Sequence, residues 1–148
     1  MGSQIAAHLA NASIPVLLLD LDRQTAAAGL NKAKKLTPSP FFTHQVETFI
    51  SIGGFETDLA RLRKVDWIIE AIVEQIDVKR ELLAKVEIHR NPTAIVSSNT
   101  SGISLTRLAE NRSHAFRQHW LGTHFFNPPR YLHLLELIPT VDTKTSVI

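Results

Sequence analysis

Cysteine is absent from all 148 residues, which excludes thiolate zinc sites, iron–sulfur clusters and a disulfide framework. Cytoplasm is the compartment this absence leads one to expect. Charge of one sign is lacking too. Sixteen Lys plus Arg against fourteen Asp plus Glu leave +2, with basic residues scattered except at Lys32, Lys34 and Lys35. A surface that tracks phosphates needs a dense basic stripe, so nucleic acid is not an expected partner. The lysine cluster falls at the end of a predicted helix, where cations complement the dipole. Long apolar runs are missing as well. Ile14 to Leu19 is far short of the roughly 20 residues that span a bilayer, and no membrane span is expected. The opening Met1-Gly2-Ser3-Gln4 lacks the basic start of a secretory signal. His8, His44, His89, His114, His119 and His133 show no metal-ligand spacing, so no metal is expected.

What is present suits one globular domain. The hydrophobic set makes up 44% of the chain, and a sheet covered by helices buries roughly two-thirds of its unfolded surface at this length. Ile5, Ala6, Leu9 and Ala10 recur at helical spacing until Asn11-Ala12-Ser13. Pro15 to Leu19 is a continuous apolar run closed by Asp20, the pattern of a strand buried on both faces of a parallel sheet. A helix is predicted over 24–35, a helical stretch near 44–48, a short strand over 49–52 stopped by Gly53-Gly54, and one short helix at Leu59, Leu62 and Val65. Trp67 to Ile69 is a strand ending in Glu70-Ala71, and 75–90 is an amphipathic helix. Ala94 to Ser98 is a strand, Leu105 to Leu108 begins a helix, and the strands 120–126 and 132–138 pair antiparallel across Asn127 to Tyr131. The tail from Thr140 reads as a linker or a frayed end. Strands alternating with helices at this spacing predict a doubly wound α/β sheet with an antiparallel edge.

Ligands of such sheets bind beyond the carboxyl ends of the strands, so Asp20, Glu70 to Glu74, Ser98 to Ser101 and His124 are expected to converge there. Asp20 closes the strand after the opening helix, where a dinucleotide fold places an acid for the adenosine ribose hydroxyls. A carboxylate at a helix start explains the same residue, and spacing leaves both readings open. An acid there repels a 2′-phosphate and favours NAD over NADP.

Met1-Gly2 followed by Ile5-Ala6, Asp20 after Val16-Leu17-Leu18-Leu19, Glu70-Ala71-Ile72-Val73-Glu74, Ser98-Asn99-Thr100-Ser101 and His124-Phe125-Phe126-Asn127-Pro128 occur in register along nearly the whole chain. Together they resemble the nicotinamide-binding domain of 3-hydroxyacyl-CoA dehydrogenases, most closely those of bacterial fatty-acid β-oxidation. The resemblance implies a Rossmann-like fold, NAD as cofactor and a 3-hydroxyacyl-CoA substrate. It makes His124 the base that takes the 3-hydroxyl proton, a transfer that imidazole suits near neutral pH. Glu136 stands where the family has the acid that partners this histidine. His124 and Glu136 are equidistant from Arg130, so a hairpin centred there sets them opposite each other. Ser101 and Asn127 match positions that hydrogen-bond the substrate's 3-oxygen, as short neutral donors can. A helix cap also explains Ser101, and a turn before proline also explains Asn127. Gly2, Glu74, Lys79 and Asn99 match cofactor-side positions. Glu74 and Lys79 are also readable as a solvated pair, although a spacing of five is off the helical ion-pair interval.

The likeness begins mid-motif. Gly2 stands where the last glycine of a G-x-G-x-x-G turn would be, so the fold is expected to lack its first strand, and the family's helical second domain has no counterpart in 1–148. One NAD-binding domain is therefore expected, inactive alone and prone to self-association through unpaired strand edges. Another NAD-dependent hydroxy-acid dehydrogenase, or a non-catalytic binding or scaffold module derived from the fold, remains an alternative.

Overall fold

A computed structural model describes all residues 1–148, and it divides into two compact units. The first comprises Met1–Asp58 together with Phe126–Leu134; the second comprises Leu59–Phe125 and Leu135–Ile148.

The first unit opens with helix α1 (Gly2–Asn11), whose Ile5, Ala6, Ala7 and Ala10 face inward at helical spacing. Strand β1 (Val16–Asp20) follows, then α2 (Arg23–Lys34), a 3-10 turn (His44–Phe49) and β2 (Ile50–Gly54), which pairs parallel with β1. Ala7, Leu30, Ala33 and Phe41 form its core, against which Leu18, Ile50 and Ile52 pack. Each large apolar side chain so buried contributes about 1.5–3 kcal/mol before the entropy cost of ordering it. β1 is half-buried along its whole length, not covered on both faces as its apolar run predicts, because it hydrogen-bonds a strand on one side only. The short helix α3 (Phe55–Asp58) leaves β2, and Asp58 accepts a hydrogen bond from Gly54 N–H at 3.0 Å. Gly54 itself must be glycine: a Cβ there would lie 2.9 Å from the backbone Cα of Asp22.

The second unit starts with a 3-10 turn (Leu59–Lys64) where the sequence predicts a short helix at Leu59, Leu62 and Val65, and the one-turn α3 just before it is unforeseen. Strand β3 (Trp67–Glu70), helix α4 (Ile76–His89) and strand β4 (Ile95–Ser98) form a parallel crossover. One-turn helices α5 (Leu105–Leu108) and α6 (His114–Arg117) lead to β5 (Trp120–Phe125), parallel to β4, and β6 (Leu135–Pro139) closes the sheet antiparallel. The order is β3-β4-β5-β6. Helix α6 is unforeseen in the sequence, where a single turn of four residues leaves no periodicity to read. The buried face of α4 carries Lys79, Leu83 and Val86, and Phe116 meets Trp120 with ring centroids 5.8 Å apart. The tail is not frayed: Thr143 donates to the Trp120 carbonyl at 2.7 Å and Lys144 N–H to that of Gln118 at 3.0 Å. No helix is long and apolar enough to cross a membrane.

Candidate functional site

In a parallel sheet the strand carbonyl ends and the following loops collect at one edge, and in the second unit they bring the chemistry-bearing residues together. β5 and β6 pair with His124 directly opposite Glu136, the register a hairpin centred on Arg130 predicts. His124 Nδ1 lies 2.7 Å from Glu136 Oε2, and His124 Nε2 lies 3.1 Å from Ser101 Oγ. A carboxylate accepts only, so Nδ1 carries the hydrogen and Nε2 presents its lone pair. A histidine so arranged can accept a proton at Nε2, with the Glu136 carboxylate beside the ring to balance the charge.

Serine, histidine and glutamate in this order also suit a nucleophilic triad, which needs backbone N–H groups to hold an oxyanion. Those amides are engaged elsewhere. Ser101 N–H donates to Glu74 Oε1 at 3.2 Å, and the N–H groups of Gly102 and Ile103 donate to Thr100 Oγ1 at 3.4 and 3.0 Å. The loop therefore presents Ser101 as a hydrogen-bond donor and acceptor beside a base, without an oxyanion cradle. Nor is Ser101 a helix cap, because Ser104 caps α5 by accepting from Arg107 N–H.

Beneath this loop runs a buried charge network. Lys79 is fully enclosed, and its ammonium donates to Glu70 Oε1 at 2.8 Å, to Glu70 Oε2 at 3.0 Å and pairs with Glu74 Oε2 at 3.1 Å. Glu70 also accepts from Ser98 Oγ at 2.5 Å and from Ile72 N–H at 2.7 Å. Glu74 accepts from the Thr100 hydroxyl. Burial pushes the Glu74 carboxyl up, but the Thr100 hydroxyl and the Lys79 ammonium outweigh it and leave the group below the ordinary carboxylate range. Glu74 precedes α4, so Glu74 and Lys79 are not a solvated helical pair. Lys79 reaches no open surface; it acts through the carboxylates it holds. Asn99 Oδ1 accepts from Phe125 N–H at 2.8 Å, tying the ends of β4 and β5. The roles of Glu70, Ser98 and Thr100 escape sequence reasoning, although Lys79, Leu83 and Val86 at helical spacing were the signal that Lys79 points inward.

The remaining residues lie in the first unit. Asp20 ends β1, its Oδ1 accepting from Leu21 N–H at 2.8 Å. The capping role is taken by Asp22, which accepts from Thr25 N–H at 2.7 Å and starts α2. Arg23, the nearest cation in sequence, donates to the Ile52 carbonyl at 3.2 Å. Asp20 is thus not the cap of α2. Gly2 forms the first turn of α1, with Gln4 and Ile5 N–H groups donating to the Met1 carbonyl. Asn127 is exposed on the loop between β5 and β6.

Residues 1–148 match the family described as 3-hydroxyacyl-CoA dehydrogenase, NAD binding domain. The chain belongs to that family. A probable 3-hydroxyacyl-CoA dehydrogenase of Deinococcus radiodurans is 49% identical over all of the chain, which spans 45% of that protein. A peroxisomal fatty acid beta-oxidation multifunctional protein of Arabidopsis thaliana is 31% identical, and the chain spans 21% of it. The crystal structure of 3-hydroxybutyryl-CoA dehydrogenase from Escherichia coli is similar with a TM-score of 0.84 at 26% identity, over 99% of this chain and 32% of that one. The chain therefore spans between a fifth and a half of the curated relatives named here. As a 3-hydroxyacyl-CoA dehydrogenase NAD-binding domain it has the Rossmann-type α/β fold, and its cofactor is NAD. The donor set fits that cofactor: a carboxylate free of capping duty ends β1, where an adenosine ribose would be held, and Arg23 Nη1 is engaged by the Ile52 carbonyl.

Proposed function

We propose that the protein carrying this domain oxidises (S)-3-hydroxyacyl-CoA to 3-oxoacyl-CoA in fatty-acid β-oxidation, and that residues 1–148 supply its cofactor site and its proton-transfer residues. The His124–Glu136–Ser101 relay carries this reading, since it presents a lone pair at Nε2 with a hydroxyl donor 3.1 Å away. The substrate's 3-hydroxyl takes the position at Nε2 where Ser101 Oγ now sits. His124 Nε2 accepts the hydroxyl proton, and the C–H pair of electrons leaves C3 with its hydrogen. Bound NAD supplies the acceptor for that hydride. Ser101 Oγ–H donates to the same oxygen as it becomes a carbonyl, with Asn127 as a second neutral donor, and the Glu136 carboxylate balances the imidazolium charge. With NAD bound, Asp20 would accept from the adenosine ribose hydroxyls, and the N-terminal turn of α1 at Gly2 would hold the pyrophosphate. Asn99 and Glu74, the latter held by Lys79, shape the cofactor side.

The deciding experiment is His124→Gln in the full-length protein. Turnover of 3-hydroxyacyl-CoA should fall by at least about a hundredfold, the scale of a general base, with NADH binding retained. A loss below tenfold would remove His124 from the mechanism.

The same proposal includes two coarser expectations. Strands β1 and β3 each pair on one side only, an arrangement that supports self-association of the isolated 148-residue chain and weak activity of that chain alone. The absence of cysteine supports a cytoplasmic setting.

A further inference from the structure

The loop Phe126–Leu134 leaves β5 and returns to β6, yet it packs within the first unit. Arg130 makes most of the bonds that anchor it. Arg130 Nη1 donates to the carbonyls of Ser39 at 2.7 Å and Phe41 at 2.6 Å, and the guanidinium lies 4.6 Å from the Phe42 ring centroid and 5.1 Å from that of Tyr131. Tyr131 adds a hydroxyl bond to the Ser39 carbonyl at 2.9 Å. The receiving segment is itself fixed. Asn11, at the end of α1, donates to the Pro40 carbonyl at 2.8 Å and accepts from Phe42 N–H at 2.9 Å, while Phe41 is buried in the core with Ala7. A continuous chain of bonds thus runs from α1 through Asn11 and residues 39–42 to Arg130, three positions beyond Asn127.

We propose that Arg130 is a positioning residue for the reaction, clamping the 126–134 loop to residues 39–42 so that Asn127 is held in one place relative to α1. The planar guanidinium suits this task because it can bond two carbonyls and stack on two rings at once, whereas an ammonium keeps only a point charge. Ordering this loop in advance spares the bound substrate that entropy cost, so the clamp acts on the chemical step through Asn127. Tyr131 fastens the same carbonyl and is subordinate to Arg130.

This inference rests on the proposed oxidation of 3-hydroxyacyl-CoA. The test compares Arg130→Ala, Arg130→Lys, Tyr131→Phe, Asn127→Ala and the double variant Arg130→Ala/Asn127→Ala in the full-length protein, by steady-state kinetics and by hydrogen exchange of the peptide covering 126–134. Arg130→Ala should speed exchange in that peptide at least tenfold and lower kcat at least tenfold, with KM for NAD within twofold. Arg130→Lys should fall between Arg130→Ala and the parent. In the Asn127→Ala background, Arg130→Ala should lower kcat by less than twofold further, because the residue acts through Asn127. Equal losses in both backgrounds, or unchanged exchange at 126–134, would overturn the proposal. Should Arg130→Ala fail to fold, Arg130→Lys and Tyr131→Phe carry the same comparison. A parent protein that turns over no 3-hydroxyacyl-CoA would refute the proposed activity and with it the catalytic half of this inference, while the exchange comparison still decides whether Arg130 holds the loop.

Discussion

Replacing Lys79 by Met is the sharpest perturbation this structure offers, because it keeps the volume of the side chain and deletes the only charge that balances Glu70. The Glu70 carboxylate is 4% exposed and receives the ammonium at 2.8 and 3.0 Å. Without it, Glu70 retains the Ser98 hydroxyl and the Ile72 N–H, two neutral donors for a buried anion. Breaking a buried ion pair from one side costs about 3–5 kcal/mol, well above the roughly 0–1 kcal/mol of an exposed pair. At about 2.1 cal/mol/K per residue for unfolding entropy, 148 residues lose about 3 °C of Tm per kcal/mol, so Lys79→Met should melt about 10–16 °C lower. The companion variant Lys79→Met/Glu70→Gln removes both charges. It should recover at least about 2 kcal/mol of that loss, since a neutral amide tolerates the site that an unpaired carboxylate does not. Urea unfolding of the 148-residue chain as parent, Lys79→Met, Glu70→Gln and the double variant gives the four free energies directly. The reasoning fails if Lys79→Met costs less than about 1 kcal/mol, or if the double variant is as unstable as the two single changes summed.

Asp20→Ala should weaken NAD binding about 10- to 150-fold, the value of a charge-assisted hydrogen bond of about 1.5–3 kcal/mol, and narrow the preference over NADP; calorimetric titration with both dinucleotides measures it. Gly54→Ala should destabilise the fold by about 1–3 kcal/mol through overpacking, because its Cβ would press on the Asp22 backbone at 2.9 Å, and a thermal melt reports the loss. His8 offers a pH test: burial first, and then the neighbouring His133, hold its imidazole below the ordinary value. A group whose folded pKa is depressed contributes stability above its unfolded pKa of 6.5 and loses it as pH falls. Melting temperatures should therefore drop as pH falls below 6.5 and drop less in His8→Gln; identical slopes would show that His8 carries none of the dependence.

Much of this protein is local in origin, and so was legible in the residues. Apolar runs such as 16–19, closed by a polar residue, mark strands of a sheet because periodicity is imposed by nearest neighbours along the chain. The register that sets His124 against Glu136 is the one a hairpin centred on Arg130 gives, since antiparallel pairing is fixed once its centre is known. Five motifs in order were enough to point to the family to which the chain belongs. Which of two acids caps α2 was another matter: Asp20 and Asp22 have the same chemistry, and only the backbone path assigns the cap to Asp22. The same holds for Ser101 and Ser104 at α5. The division of the strands into sheets of two and four, the enclosure of Lys79 between two carboxylates, and the grip of Arg130 on residues separated from it by about 90 positions all depend on chain segments distant in sequence. Sequence by itself determined which groups were available and on which kind of element each would lie. Tertiary structure decided which of them meet, because a hydrogen bond or ion pair between remote segments exists only after the backbone has brought both ends within about 3 Å.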